Sequence, residues 1–155
     1  MRIEIKSVKQ AAFASHETSC FECKVYVDGK FMFHAENDGR GGPNLYLPVG
    51  SYTHADIKKV IDEAAKIVDT DFEPLDLLIA QLMDKDLTKK QLTRYFKKGQ
   101  LTFLNGHELR TTKTIPEGEI ERYKAIVMEK YPQCVLLNFM NIDEAVDLVI
   151  KTTTH

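Results

Sequence analysis

The chain has 155 residues, with 21 Lys+Arg against 23 Asp+Glu for a formal charge of -2, 43% hydrophobic residues, three Cys and no Trp. A length close to the common domain size of roughly 100–150 residues provides for one substantial core. The near-neutral charge argues against a dedicated nucleic-acid binder, which normally carries a basic excess to replace counterions on phosphates, so any nucleic-acid site would have to be local.

The start, Met1-Arg2-Ile3-Glu4-Ile5-Lys6, alternates polar and apolar instead of forming an apolar signal segment. No apolar run approaches the ~18–20 residues of a membrane span. These features predict a cytoplasmic protein with no membrane partner. Three cysteines fit free thiols in a reducing compartment better than a disulfide framework.

Up to about Pro48 the pattern has period two and is rich in β-branched and aromatic residues, which predicts strands. Asp28-Gly29 suits a type I′ turn, so Phe21 to Val27 should fold back onto Lys30 to Glu36, with Arg2 to Val8 as a third strand. A regular register pairs Val25 with Met32 and Cys23 with His34, and puts Tyr26, Phe31 and Phe33 on the opposite face. One face is expected to pack on helices. The other is left for Leu45-Tyr46-Leu47 or for a second copy of the protein.

Three helices are predicted next. Thr53-His54-Ala55-Asp56 reads as a capping box, followed by Ile57, Val60, Ile61, Ala64 and Val68 at helical spacing. A second helix starts at Pro74 and buries Leu75, Leu78, Ile79, Leu82 and Met83. A third starts at Thr88, where Gln91 completes another box, and stops at Gly99. Beyond it, Asn105-Gly106 predicts a second hairpin between Leu101 to Leu104 and His107 to Thr111. A helix is expected from Pro116, with Ile120, Tyr123, Val127 and Tyr131 inward, until Pro132 ends it. Cys134 to Phe139 then reads as a strand, and Asn141 as the cap of a last helix burying Ile142, Val146, Val149 and Ile150. The expected architecture is α+β: an N-terminal antiparallel meander, a helical middle, a second hairpin and a C-terminal helix-strand-helix. It would form one domain over about 1–150, strand-rich to about 50 and helix-rich beyond, with 151–155 as a frayed tail.

Asn37-Asp38-Gly39-Arg40-Gly41-Gly42-Pro43-Asn44 is the first candidate site. Its glycines permit positive φ, so that successive N–H groups could line a concavity while Arg40 clamps a carboxylate or phosphate. It lacks the ending of a P-loop, and no helix opens behind it. The alternative is a glycine-rich reversal with a solvated Arg40. Cys23 and His34, as cross-strand neighbours, could form a thiolate nucleophile, but no orienting Asp or Asn accompanies them. Cys20 and Cys23 lie three apart on a strand and should face opposite ways, so no shared metal is expected. The stretch Lys85 to Lys98 places Lys90, Arg94, Lys97 and Lys98 opposite Leu92, Tyr95 and Phe96, a basic face that could engage nucleic acid or an acidic protein surface; the alternative is the solvated face of an amphipathic helix, with the acid-rich stretch Asp62 to Asp76 of the same chain as its partner. No assembled catalytic set and no cofactor motif is visible, which leans away from an enzyme.

Lys24-Val25-Tyr26-Val27-Asp28-Gly29-Lys30 followed by Glu36-Asn37-Asp38-Gly39-Arg40-Gly41-Gly42, with the late hairpin at Leu101-Thr102-Phe103-Leu104-Asn105-Gly106, resembles small uncharacterised proteins of tailed bacteriophages and prophages. That resemblance implies a phage-encoded accessory protein in the bacterial cytoplasm. For such proteins inhibition or modulation of a host system is a common role, and with no catalytic set but a loop and a basic face suited to contacts, the expectation is a non-enzymatic binding protein that engages a host protein, antiviral defence included. The alternative expectation is binding or sequestering of a nucleotide or other small anion at the glycine-rich loop.

Overall fold

The computed structural model describes residues 1–153, and in them four helices and two antiparallel sheets make an α+β fold. Its first reversal follows the turn chemistry. Asp28 and Gly29 both take positive φ, 51° and 83°, as a type I′ turn requires. Val27 pairs with Lys30 across them, joining β2 (Cys20–Val27) to β3 (Lys30–Asp38).

One turn further on the expected register fails. A bulge after the Tyr26–Phe31 pair makes Val25 pair with Phe33, and the slip carries on, so that Cys23 meets Ala35 and His34 meets Lys24. An extra residue on one strand exchanges the faces of everything beyond it. Phe33 therefore joins Phe21, Cys23, Val25 and Val27 in the core rather than lying opposite them. β1 (Ile3–Gln10) pairs with β2 as expected. Leu45-Tyr46-Leu47 does not lie over a sheet face: it forms β4 (Leu45–Pro48), the fourth strand in the order β1-β2-β3-β4.

Thr53 caps α1 (His54–Val68) through a complete capping box, the hydroxyl accepting from the Asp56 N–H and Asp56 Oδ2 from the Thr53 N–H at 2.8 Å. Ile57, Val60 and Ala64 are buried on its inner face. The next helix, α2 (Pro74–Lys97), runs unbroken through Thr88, so the middle holds two helices where three were expected. Nothing between Pro74 and Gly99 interrupts the backbone ladder.

β5 (Gln100–Asn105) and β6 (Glu108–Thr114) form the second hairpin. Its turn is one residue later than expected, because Asn105 pairs with Glu108 and only Gly106, of the central pair Gly106-His107, has positive φ, the pattern of a type II′ turn. Gly118, at φ +82°, delays α3 (Ile120–Lys130) beyond Pro116. The strand expected over Cys134 to Phe139 shrinks to β7 (Val135–Leu136), paired with β5. Asn141 Oδ1 accepts from the Asp143 N–H at 2.9 Å and caps α4 (Ile142–Thr153). Of the expected tail, Lys151 to Thr153 continue α4, and 154–155 lie outside the described residues.

Contacts divide the chain into two units, one from Met1 to Met83 and one starting at Asp84, so the division falls inside α2. The first unit packs the inner sheet face against Ile57, Val60 and Ala64 of α1 and Leu75, Leu78 and Ile79 of α2. The second has two clusters, one around Leu92, Leu104, Leu137 and Val146, the other around Leu101, Phe103, Ile115 and Val127. Among the described residues, no helix is long and apolar enough to cross a membrane.

Candidate functional site

β3 ends at Asp38, and the glycine-rich reversal that follows sits against the segment joining β1 to β2, which contains a single 3-10 turn, Ala12–Ala14. Gly39 fastens the two. Its carbonyl accepts from the N–H groups of His16 and Glu17 at 3.1 and 2.9 Å. Its φ is +83°, and a Cβ there would lie 2.1 Å from the Ala14 carbonyl oxygen, so no other residue fits.

Asn37, on the inner face at the end of β3 and only 8% exposed, ties the loop from within. Its Oδ1 accepts from the Thr18 hydroxyl at 2.7 Å and the Gly39 N–H at 2.9 Å. Its Nδ2 donates to the Gly42 carbonyl at 2.9 Å and to Asn44 Oδ1 at 3.1 Å. The amide's two donors and two acceptor positions are all used.

Asn44 extends the network, donating its N–H to Asp76 Oδ2 at 3.0 Å and its side-chain amide to the Tyr46 hydroxyl at 3.2 Å. Tyr46 in turn donates to Asp76 Oδ1. Burial, reinforced by the hydrogen bond to Asp76, pushes the Tyr46 phenol above its ordinary range. Asp76 occupies the first turn of α2, where a carboxylate also complements the helix dipole.

The loop's own oxygens and a neighbouring hydroxyl take three of its backbone N–H groups. The Gly39, Arg40 and Gly41 N–H groups donate respectively to Asn37 Oδ1, Asp38 Oδ1 and the Thr18 hydroxyl. They are spent on the protein's own oxygens rather than lining an open concavity for an anion. Glu17 adds a carboxylate at the rim, its Oε2 standing 2.2 Å from where a Gly41 Cβ would be. The loop's remaining contact chemistry lies in side chains. Arg40 is exposed and makes no ion pair among the described residues. Phe13, beside the Ala14 that packs on Gly39, is 89% exposed.

The other candidates fall apart or hold together for equally local reasons. Cys23 is buried on the inner face while His34 is exposed on the outer one, so they form no catalytic pair. Burial pushes the Cys23 thiol up to about 11, the reverse of activation. Cys20 faces outward, away from Cys23, as alternation along β2 requires. All three cysteines are free.

The basic face does form on α2, opposite the buried Leu92. Of that face Lys90 alone has an ion-pair partner among the described residues, Asp86 of its own helix at 2.8 Å rather than the stretch Asp62 to Asp76. Lys85 and Lys89, on the Leu92 side of the helix, pair with Asp147 at 3.5 Å and Asp143 at 3.2 Å on α4. Arg94, Lys97 and Lys98 have no ion pair among the described residues. Arg94 and Lys97 occupy the last turn of the helix, the end that favours cations, and Lys98 follows it.

Sequence reasoning singled out Asn37, Asp38, Gly39, Arg40, Gly41, Gly42 and Asn44 but missed the residues that hold them. Tyr46 and Asp76 carried a faint signal, a polar ring in an apolar strand and an acid in a first helical turn. Thr18 and Phe13 carried none. Comparison with protein-family models, curated proteins and solved structures finds no match to the chain.

Proposed function

We propose that the chain is a non-enzymatic binding protein that engages another protein through the paired loops 11–19 and 37–44, with Arg40 and Phe13 as its principal contacts. The observation that carries this reading is the internal fastening of the loops, which leaves an arginine and an aromatic ring outside a hydrogen-bonded frame. Binding costs less when a loop is already ordered, because little conformational freedom is lost on docking. Arginine and aromatic side chains are also the types that dominate interface energetics.

The likeness to phage proteins extends the reading to a phage-encoded accessory protein acting in the bacterial cytoplasm. Its target would then be a host protein, and interference with antiviral defence a consequence of binding. Arg94, Lys97 and Lys98 would supply a second, weaker contact to an acidic surface.

The test is quantitative affinity capture from bacterial lysate with the full chain and with the variants Arg40→Ala and Phe13→Ala. A host protein retained by the parent chain should fall at least about tenfold with either variant, at unchanged melting temperature, as expected for contacts worth 2 kcal/mol or so. Equal recovery with all three proteins rejects these loops as the interface. A nucleotide that raises the melting temperature of the parent but not of Arg40→Ala would replace this reading with that of an anion-binding protein.

A further inference from the structure

The outer face of the first sheet has a charge pattern that the fold itself does not use. Strand register divides this face into rows. At one end Tyr26 and Phe31 pair and stack, with ring centroids 5.4 Å apart and planes 20° apart. In the next row Lys6 pairs with Lys24, Lys24 with His34, and His34 with Leu47. The row after that runs from Lys9 through Glu22 and Glu36 to Leu45. Cys20 and Asp38 close the face.

The two halves differ in charge, since Glu4, which pairs with Tyr26 in the first half, is offset by Arg2 at 2.8 Å. Lys6 and Lys24 rest over the rings of Tyr26 and Phe31 at 4.4 and 5.4 Å and make no ion pair among the described residues. Glu36 and Asp38 likewise lack a cationic partner, whereas Glu22 is offset by Lys9 at 3.5 Å. On β4, Leu45 and Leu47 are 53% and 42% exposed. A cleft of about 600 Å³ lies over the acidic half, between Glu22, Glu36 and Leu45.

We infer that this face pairs with the same face of a second copy of the chain, in an isologous dimer. A half-turn about an axis in the interface, running across the strands, inverts position along the strands and keeps the order β1 to β4. It lays the basic row of one copy on the acidic row of the other. Lys24 then faces the partner's Glu22, His34 faces the partner's Glu36, and Leu47 faces the partner's Leu45. Twofold symmetry makes each contact twice. At the β1 side Lys6 approaches the partner's Lys9, whose charge Glu22 already offsets. Stacked sheets sit about 10 Å apart, a gap that side chains of this size fill. This pairing does not use Arg40 or Phe13, the principal loop contacts proposed above, although the cleft borders loop 37–44.

The pattern permits a decisive mixing experiment. Lys24→Glu and Glu22→Lys each place like charges opposite each other in a homodimer, so each should raise the dimer dissociation constant by about tenfold or more. In an equimolar mixture the two variants are complementary at both symmetry-related contacts. Sedimentation velocity should therefore show the parent chain dimerising, each variant shifted toward monomer, and the mixture restored to dimer. High salt should weaken the parent dimer, because these charges remain near solvent. If either variant fails to fold by circular dichroism, Leu45→Lys provides the same test from the apolar edge, with loss of dimer expected. A parent chain that stays monomeric at every concentration overturns the inference, as does a dimer indifferent to all three substitutions. A monomeric chain that binds fluorescent oligothymidylate also overturns it, and assigns the stacked rings and lysines to single-stranded nucleic acid.

Discussion

Asn37 shows why the loop was only half legible. Its neighbours Gly39, Gly41 and Gly42 announce a reversal, but the same glycines fit an anion cradle and a self-satisfied turn equally well. What separates the two is where the N–H groups go, and that is decided by Thr18, on a segment 19 residues earlier in the chain. Removing the Asn37 amide takes away the acceptor of the Thr18 hydroxyl proton and of the Gly39 N–H, and the donor to the Gly42 carbonyl and to Asn44 Oδ1. Asn37→Ala should lower unfolding free energy by about 2–3 kcal/mol in urea titrations, in the range for orphaned buried polar groups. Thr18→Val, which removes one hydroxyl and keeps the shape, should cost about 1 kcal/mol. A smaller effect for Asn37→Ala than for Thr18→Val would deny Asn37 its place at the centre of the network.

Cys23 makes a residue-scale prediction in pH. Its thiol is raised from an ordinary 9.0 to about 11 by burial, so above pH 9 the unfolded chain releases this proton while the folded chain keeps it. The unfolded state then binds fewer protons, and stability falls as pH rises through this window. At about 1.36 kcal/mol per pH unit, the loss from this thiol is on the order of 2–3 kcal/mol by pH 11. Tyr46 acts in the same direction at higher pH. Urea titrations from pH 8 to 11 should show a shallower decline for Cys23→Ala than for the parent chain. Equal slopes would mean that the thiol is not held in its buried form. Why the expected partner, His34, is absent from this environment lies in the single extra residue between Val25 and Tyr26 pairings, for which the sequence carries no mark.

Element identities were legible wherever a local rule acted alone. Thr53 with Asp56, Pro74 at a helix start, Asp28-Gly29 and Asn141 all do what their chemistry dictates. Errors arose where a local signal met a stronger neighbour. Thr88 and Gln91 have the spacing of a capping box, yet a cap forms only where the chain enters a helix, and here the preceding residues are already helical. The Asn105-Gly106 pair was displaced by one position, and β7 was cut to two residues: Leu137 still donates its N–H to the Thr102 carbonyl, but beyond it the Asn138 side chain takes the Thr102 N–H and the Gln100 carbonyl as the chain turns away. The contrast between Thr53 and Thr88 is measurable. Thr53→Ala should cost about 1 kcal/mol through loss of a cap. Thr88→Ala should be neutral or stabilising by up to about 0.5 kcal/mol, since alanine is the better residue inside a helix. A cost at Thr88 comparable to that at Thr53 would place a helix start there after all.

At the scale of the whole molecule, the unit from Met1 to Met83 contains everything its core needs. Phe33, Val25, Val60, Ile79 and Met83 belong to one cluster, and every buried member of that cluster lies at or before Met83. The loop network closes within the same stretch, since Asp76 anchors Asn44 and Tyr46 from the first turn of α2. Cutting the chain after Met83 removes the second half of α2 but none of these contacts. The part of the helix that remains is too short to persist alone in water, so its order must come from packing Leu75, Leu78 and Ile79 on the sheet. The fragment 1–83 should therefore unfold cooperatively, with dispersed amide signals in its nuclear magnetic resonance spectrum. Phe33→Ala, at the centre of the buried face, should abolish that behaviour, because a loss of about 3–5 kcal/mol approaches the whole stability of so small a unit. A fragment that is unstructured before any substitution would show that α2 must be nucleated by its second half. In that case the division at Met83 marks a boundary of contacts and not of independent folding.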